Sequence, residues 1–261
     1  VIRYNFRRPD RVSKEQIHSL QFLHERFARN VATSLSAYLR VMTEISVVSV
    51  EQFSYSEFLM SLTDPTAFYA LGIPPFEESA ALEINPSIAF AMVDRMVGGV
   101  GKSQALARAM TEIEQNVVDS VVKILLESLS ETWRTIAKLT FNIRGRETRP
   151  QMLNVAAANE VVIMVVFEVK IGDARGMMNL GIPASIVEAS GAQFAKAGER
   201  HRRPPTDVER AWLRENLSRV PMKVAALLES RLSTRELLAL GPGDVVSIGV
   251  PANRPIDIRV G

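Results

Sequence analysis

Apolar residues recur at a helical period along two long stretches of this chain. Ser13-Lys14-Glu15-Gln16 has the Ser-x-x-Gln form of a capping box, and Ile17, Leu20, Phe27, Val31, Leu35, Tyr38 and Leu39 follow near a 3.6-residue spacing. Thr111-Glu112-Ile113-Glu114 has the matching Thr-x-x-Glu form and leads into Val118, Val121, Val122, Leu125, Leu129 and Trp133. Each pattern predicts a long amphipathic helix with one buried stripe.

The segments C-terminal to the two helices are also alike. After the first helix come strand-like segments at Ile45 to Phe53, Ala67 to Ile73 and Ala80 to Ile84, then Asn85-Pro86 opening a short helix. After the second come Leu139 to Ile143, Val161 to Ile171 and Met177 to Ile182, then Pro183 opening another. Lys14 to Thr111 and Pro86 to Pro183 are both 97 positions apart, so the chain reads as an internal repeat, about 13–98 and 110–191. The expected fold is a pseudo-symmetric, duplicated α/β domain over residues 1–191. Its two halves pool their strands into a shared sheet with the long helices packed on its faces.

Beyond Gly191, residues 192–205 carry Arg200-His201-Arg202-Arg203 and a Pro-Pro pair, a linker composition. A second, mostly β unit is expected over 206–261. A helix from about Thr206 to Ser218 precedes Val220 to Leu228, where Val220, Met222 and Val224 alternate. Ser233-Thr234-Arg235-Glu236 is another helix start, Gly241-Pro242-Gly243-Asp244 a turn, and Val245 to Ile248 and Ile256 to Val260 read as strands. Fewer than about sixty residues bury a marginal core, so this piece is expected to be completed by another chain.

Gly98-Gly99-Val100-Gly101-Lys102-Ser103 looks like a phosphate-binding loop, but a Walker A loop needs a further glycine at position 96, which is Met, and must leave a strand. Here Ile88, Met92, Val93, Met96 and Val97 keep a helical period up to the glycines. Gly98 therefore suits the left-handed residue that stops a helix, and the three glycines leave a bare backbone that another surface can approach closely.

The 261 residues are 47% hydrophobic with a net charge of +2, enough for one sizeable core and a smaller unit in a water-soluble globular chain. No apolar run approaches the roughly 18 residues that argue for a membrane span, and Arg3, Arg7, Arg8 and Arg11 are not backed by a signal-type apolar segment. Starting at Val1, the chain is expected to be a trimmed piece of a longer one. The absence of cysteine excludes disulfides, thiol nucleophiles and Cys-ligated zinc, and suits a reducing compartment. The basic clusters lack interleaved aromatics, so solvated segments are expected rather than nucleic-acid binding.

Several runs resemble the flagellar motor switch protein FliM family. They are Tyr4 through Lys14 (YNFRRPDRVSK), Ala37-Tyr38-Leu39-Arg40, Leu82-Glu83-Ile84-Asn85-Pro86-Ser87, Asp94-Arg95 leading into Gly98-Gly99-Val100-Gly101, Thr111-Glu112-Ile113-Glu114-Gln115, and Phe167-Glu168-Val169-Lys170-Ile171-Gly172. The resemblance covers essentially all of 1–261. It implies a middle domain similar to the chemotaxis phosphatases CheC and CheX and a C-terminal SpoA domain similar to FliN. It further implies a non-enzymatic subunit of the flagellar C-ring at the basal body, peripheral to the cytoplasmic face of the inner membrane. Such a subunit needs no cofactor and relays the phosphorylated CheY signal that sets rotation direction. The implied partners are FliG, FliN, neighbouring copies and phosphorylated CheY. In the family the Gly-Gly-x-Gly loop contacts FliG: Gly98, Gly99 and Gly101 match, Val100 fills the variable position, and Asp94 and Arg95 adjoin it. FliN pairing is expected of Val220, Met222, Val224, Val245 and Ile248. The family's CheY-capturing peptide is expected to precede residue 1, and the SpoA domain to stop at Gly261 before its final strand.

The enzymatic alternative is a CheC-type phosphatase of a response regulator, in which a Glu and an Asn three residues later share one helical face. Here Glu25 precedes Asn30 by five and Glu112 precedes Asn116 by four, so neither has the spacing. His18 and His24, six apart, fall on different helical faces, and His201 is in the linker, so no metal cluster or His-based triad is visible. No catalytic residue is assigned.

Overall fold

The computed structural model describes residues 11–101, 108–191, 206–218, 224–227, 232–246 and 257–260. The chain forms two compact units, residues 1–202 and 203–261.

Both capping boxes form. Ser13 Oγ accepts from the Gln16 N–H and Gln16 Oε1 accepts from the Ser13 N–H at 2.9 Å, starting α1 (Lys14–Leu39). Thr111 and Glu114 do the same for the second long helix, whose Glu114 also takes a two-pronged contact from the Arg108 guanidinium. In chain order the first unit runs α1, β1 (Thr43–Ser54), α2 (Tyr55–Met60), β2 (Ala67–Ile73), β3 (Phe76–Ile84), α3 (Pro86–Met96), α4 (Glu112–Trp133), β4 (Asn142–Glu147), a 3-10 turn at Pro150–Met152, β5 (Val161–Ile171), β6 (Ala174–Pro183) and α5 (Ala184–Ala189).

The repeat is real, with an offset of 98. The helices' first residues, Lys14 and Glu112, are 98 apart, as are Pro86 and Ala184; the 97-residue spacing paired a first helical residue with a cap in each case. The six strands form one antiparallel sheet in the order β1-β5-β6-β3-β2-β4, which is unchanged when the halves are interchanged. The pseudo-twofold passes through the Leu82↔Leu180 pair, residues themselves 98 apart. Each half lends its first strand to the other: β1 pairs with β5, and β4 with β2.

Both long helices lie on one face rather than on two. A single cluster joins α1 (Leu20, Phe27, Val31, Leu35) and α4 (Val118, Val122, Leu125, Leu129, Trp133) to the alternate strand residues Tyr69, Leu71, Leu82, Val165, Phe167 and Leu180. Tyr38, expected in the buried stripe of α1, is 41% exposed. The other face carries α2, with Tyr55 and Phe58 packed on Phe68, Ala81 and Val162. There Glu83 is fully buried, accepting from Thr66 Oγ1 at 2.5 Å and from Asn179 Nδ2 at 2.8 Å. Burial outweighs these hydrogen bonds and raises its pKa to about 6.

Several strand boundaries differ from expectation: β1, β3 and β6 begin at Thr43, Phe76 and Ala174, N-terminal to the expected Ile45, Ala80 and Met177, and β4 is displaced toward the C-terminus. Leu139 and Phe141 are buried but precede β4, which starts at Asn142 and continues through Arg144-Gly145-Arg146. An edge strand with a polar outer row gives no apolar alternation to mark it. The second unit contains α6 (Asp207–Ser218), β7 (Val224–Leu227), α7 (Thr234–Leu238) and β8 (Asp257–Val260). β7 and β8 pair antiparallel, Val224 opposite Val260, and Ser233 and Glu236 form the expected capping box. Val245 and Val246 belong to no strand, contrary to expectation.

Candidate functional site

The Gly98 to Gly101 loop is built by the helix before it. Asn85 caps α3 by accepting from the Ser87 N–H at 3.1 Å, Pro86 takes the first helical position, and Ile88, Ala89, Ala91 and Met92 bury its inner face. At the far end Gly98 has φ +95°. Its N–H donates to the Arg95 carbonyl at 3.2 Å, and the Gly99 N–H to the Asp94 carbonyl at 2.7 Å. These two bonds make a Schellman motif, satisfying carbonyls that the helix end would leave bare. The loop thus leaves a helix rather than a strand, which is incompatible with a Walker loop.

Asp94 and Arg95 turn inward and shape the loop. Asp94 Oδ2 accepts from the Gly101 N–H at 2.7 Å, and its carboxylate fills the space that a side chain at Gly99 would need. The Arg95 stem lies under Gly101, where an added Cβ would sit 2.8 Å from Cδ and φ is +79°. Arg95 Nη1 donates to the Gly99 carbonyl at 3.0 Å. The other side of the same guanidinium reaches α1: Nε and Nη2 donate to the Leu39 carbonyl at 3.2 and 3.1 Å, and Nη2 to the Arg40 carbonyl at 2.7 Å. What the loop turns outward is apolar, with Val97 72% and Val100 68% exposed.

The six residues expected here, Asp94, Arg95, Gly98, Gly99, Val100 and Gly101, therefore come together, in two layers. Sequence reasoning missed Val97, because it continues the buried period of α3, and missed the Leu39 and Arg40 carbonyls, for which no side-chain signal exists. Of the residues expected to pair with FliN, Val224 lies in β7 and Val245 is 95% exposed after the Gly241–Asp244 turn. Val220, Met222 and Ile248 lie outside the described residues, as do Lys102, Ser103 and His201.

Two of the groups considered for catalysis, Asn116 and His24, are engaged elsewhere. Asn116 Oδ1 accepts from Arg146 Nη2 at 2.9 Å, and Arg146 also pairs with Asp119, whose Oδ1 accepts from Tyr69 Oη at 3.0 Å. Burial first, then the Asp119 charge, hold the Tyr69 hydroxyl far above its ordinary pKa, so it stays protonated. His24 is a core residue: Nδ1 donates to the Leu20 carbonyl at 2.8 Å, and Phe27, Trp133 and Phe167 surround the ring. Burial lowers its pKa to about 4 and keeps it neutral. Among the described residues no group of three or more His, Asp or Glu is placed to hold a metal, and no helix is long and apolar enough to cross a membrane.

The family profile "Flagellar motor switch protein FliM" matches residues 13–196. The chain belongs to the FliM family. The profile "Type III flagellar switch regulator (C-ring) FliN C-term" matches residues 215–261. The FliM of Treponema pallidum is 38% identical over 250 residues, covering 94% of this chain and 72% of that protein. The FliM of Borreliella burgdorferi is 37% identical over 266 residues, covering 99% and 75%. Among solved structures, the matched chain in the FliG–FliM complex from H. pylori is 39% identical with a TM-score of 0.66, over 68% of this chain and 100% of that one. A FliM-family chain is a structural component of the flagellar motor switch, and the phosphatase alternative is not favoured.

Proposed function

We propose that the chain is a non-enzymatic C-ring subunit on the cytoplasmic face of the inner membrane, docking FliG through the outward layer of the α3 loop, Val97 to Val100. The observation that carries this reading is the loop itself. Two exposed valines and a bare Gly98 stand on a backbone already fixed from inside by Asp94 and Arg95, and a prefixed apolar surface loses little entropy on binding. The H. pylori relative found in a complex with FliG supports FliG as the occupant.

The same reading assigns 1–191 to the FliM middle domain, 192–205 to a linker and 206–261 to a FliN-type unit that pairs with FliN. The bare apolar side chains of that unit, Trp212, Leu237, Leu238 and Val245, support a partner there. Phosphorylated CheY would act by shifting the ring between two populated arrangements, without chemistry on this chain.

Val100→Glu tests the docking assignment, because the residue is exposed and carries no backbone constraint. Affinity for the FliG of the same organism, measured by titration calorimetry, should fall at least about tenfold, the scale of losing one buried apolar contact to a charge, with the melting temperature unchanged. Unchanged affinity would overturn the assignment.

A further inference from the structure

We propose that Arg95 is the positioning residue of the loop, fastening it to the C-terminal turn of α1 so that loop and helix end present one rigid unit to the partner. The proposal rests on the reading of this loop as a docking surface.

The need for such a residue arises at α1. A helix end leaves up to four carbonyls without intrahelical partners and a partial negative charge, and a basic side chain in the last turn commonly answers both. α1 has no basic residue in its last turn. Its C-cap is Arg40 in the left-handed conformation, φ 51°, with the Arg40 N–H donating to the Ser36 carbonyl. The cation comes instead from α3. Arg95 makes four hydrogen bonds to three carbonyls, Leu39 and Arg40 on α1 and Gly99 in the loop. Only a guanidinium offers donors along two edges in a fixed plane, so lysine at this position keeps the charge and loses the bridge. The stem of the same side chain packs under Gly101. Asp94, which holds the Gly101 N–H, completes a clamp whose other half is anchored outside the loop. Pre-shaping of this kind acts on a complex chiefly through its lifetime, because the unbound loop has fewer shapes to abandon.

The test uses the full chain, three variants and two readouts. Hydrogen–deuterium exchange of segments 39–42 and 97–101 is measured without partner, and dissociation of the same organism's FliG is measured by surface plasmon resonance. Arg95→Ala should speed exchange about tenfold or more in both segments together and shorten the complex lifetime about tenfold. Arg95→Lys, which retains the charge and the stem and so guards against a folding defect, should recover little of either. Exchange unchanged in Arg95→Lys, or faster in only one segment, would overturn the fastening. Val100→Glu separates the two readings. If Val100→Glu binds FliG normally while Arg95→Lys loosens both segments, the docking assignment falls and the fastening stands. If Val100→Glu loses FliG while Arg95→Lys changes neither readout, the fastening falls alone.

Discussion

Two buried ionisable residues pull the pH dependence of stability in opposite directions. The His24 pKa is lowered from 6.5 to about 4 by burial. As pH falls through that window the unfolded chain binds the proton first, so stability present above about 6.5 is lost toward 4, on the order of 3 kcal/mol in all. Glu83 is the reverse case: its pKa is raised from 4.5 to about 6, so the folded chain binds the proton first. A penalty that operates above about 6 is relieved as pH falls toward 4.5, on the order of 2 kcal/mol. Glu83→Gln removes the compensating trend while keeping the size of the side chain next to Thr66 and Asn179. Urea denaturation followed by tryptophan fluorescence should show the variant at least as stable as the parent at pH 7.5, and losing stability more steeply between pH 6.5 and 5. Parallel pH curves would rule this out. Neither group was legible as buried from sequence. Glu83 sits between Leu82 and Ile84 like any outward strand residue, and only the register that brings Asn179 opposite it explains how it is accommodated.

At the scale of elements, the caps carry separable contributions. Ser13→Ala and Thr111→Ala each remove one acceptor from a helix N-terminus and should each cost about 1 kcal/mol in urea titrations. A neutral result at either site would mean that box does not hold its helix. β2 is readable to the residue as a short apolar run between Thr66 and Pro74, and β5 as a longer one that passes into alternation at Glu168 and Lys170 before the Gly172 turn. β4 was displaced because its outer positions are polar. α2 went unread although Ser54 and Glu57 form a complete capping box: the apolar Tyr55, Phe58 and Leu59 follow β1 directly and give no break in pattern. At the glycine loop, the sequence groups the six residues but does not show their two layers. Asp94 and Arg95 are polar neighbours of glycines, and nothing in their order says they face inward. That difference changes the choice of probe. Replacing Gly99 would collide with the Asp94 carboxylate and disturb the clamp along with the surface, whereas Val100 alters the surface alone.

For the molecule as a whole, the exchange of first strands makes the two halves of the duplicated unit depend on each other. Residues 11–101 alone would lack β5 beside β1, β4 beside β2 and β6 beside β3, leaving β1 unpaired and both edges of the β2–β3 hairpin bare. Produced separately, 11–101 and 108–191 should each be unfolded or aggregated by circular dichroism and light scattering, and should regain cooperative melting when refolded together. An independently folded half would contradict the strand exchange. The same pooled sheet gives the α3 loop its firm base, since α3 packs against β6, β5 and α4 rather than within its own half alone. The central claim is that this firmly based loop is where FliG binds. It is tested most directly by titrating unlabelled FliG of the same organism into the isotope-labelled full chain and monitoring backbone amide shifts. The largest changes should fall on Val97, Gly98, Gly99 and Val100, with the α2-covered face of the sheet unaffected. Changes centred on that face, with the loop unmoved, would contradict it.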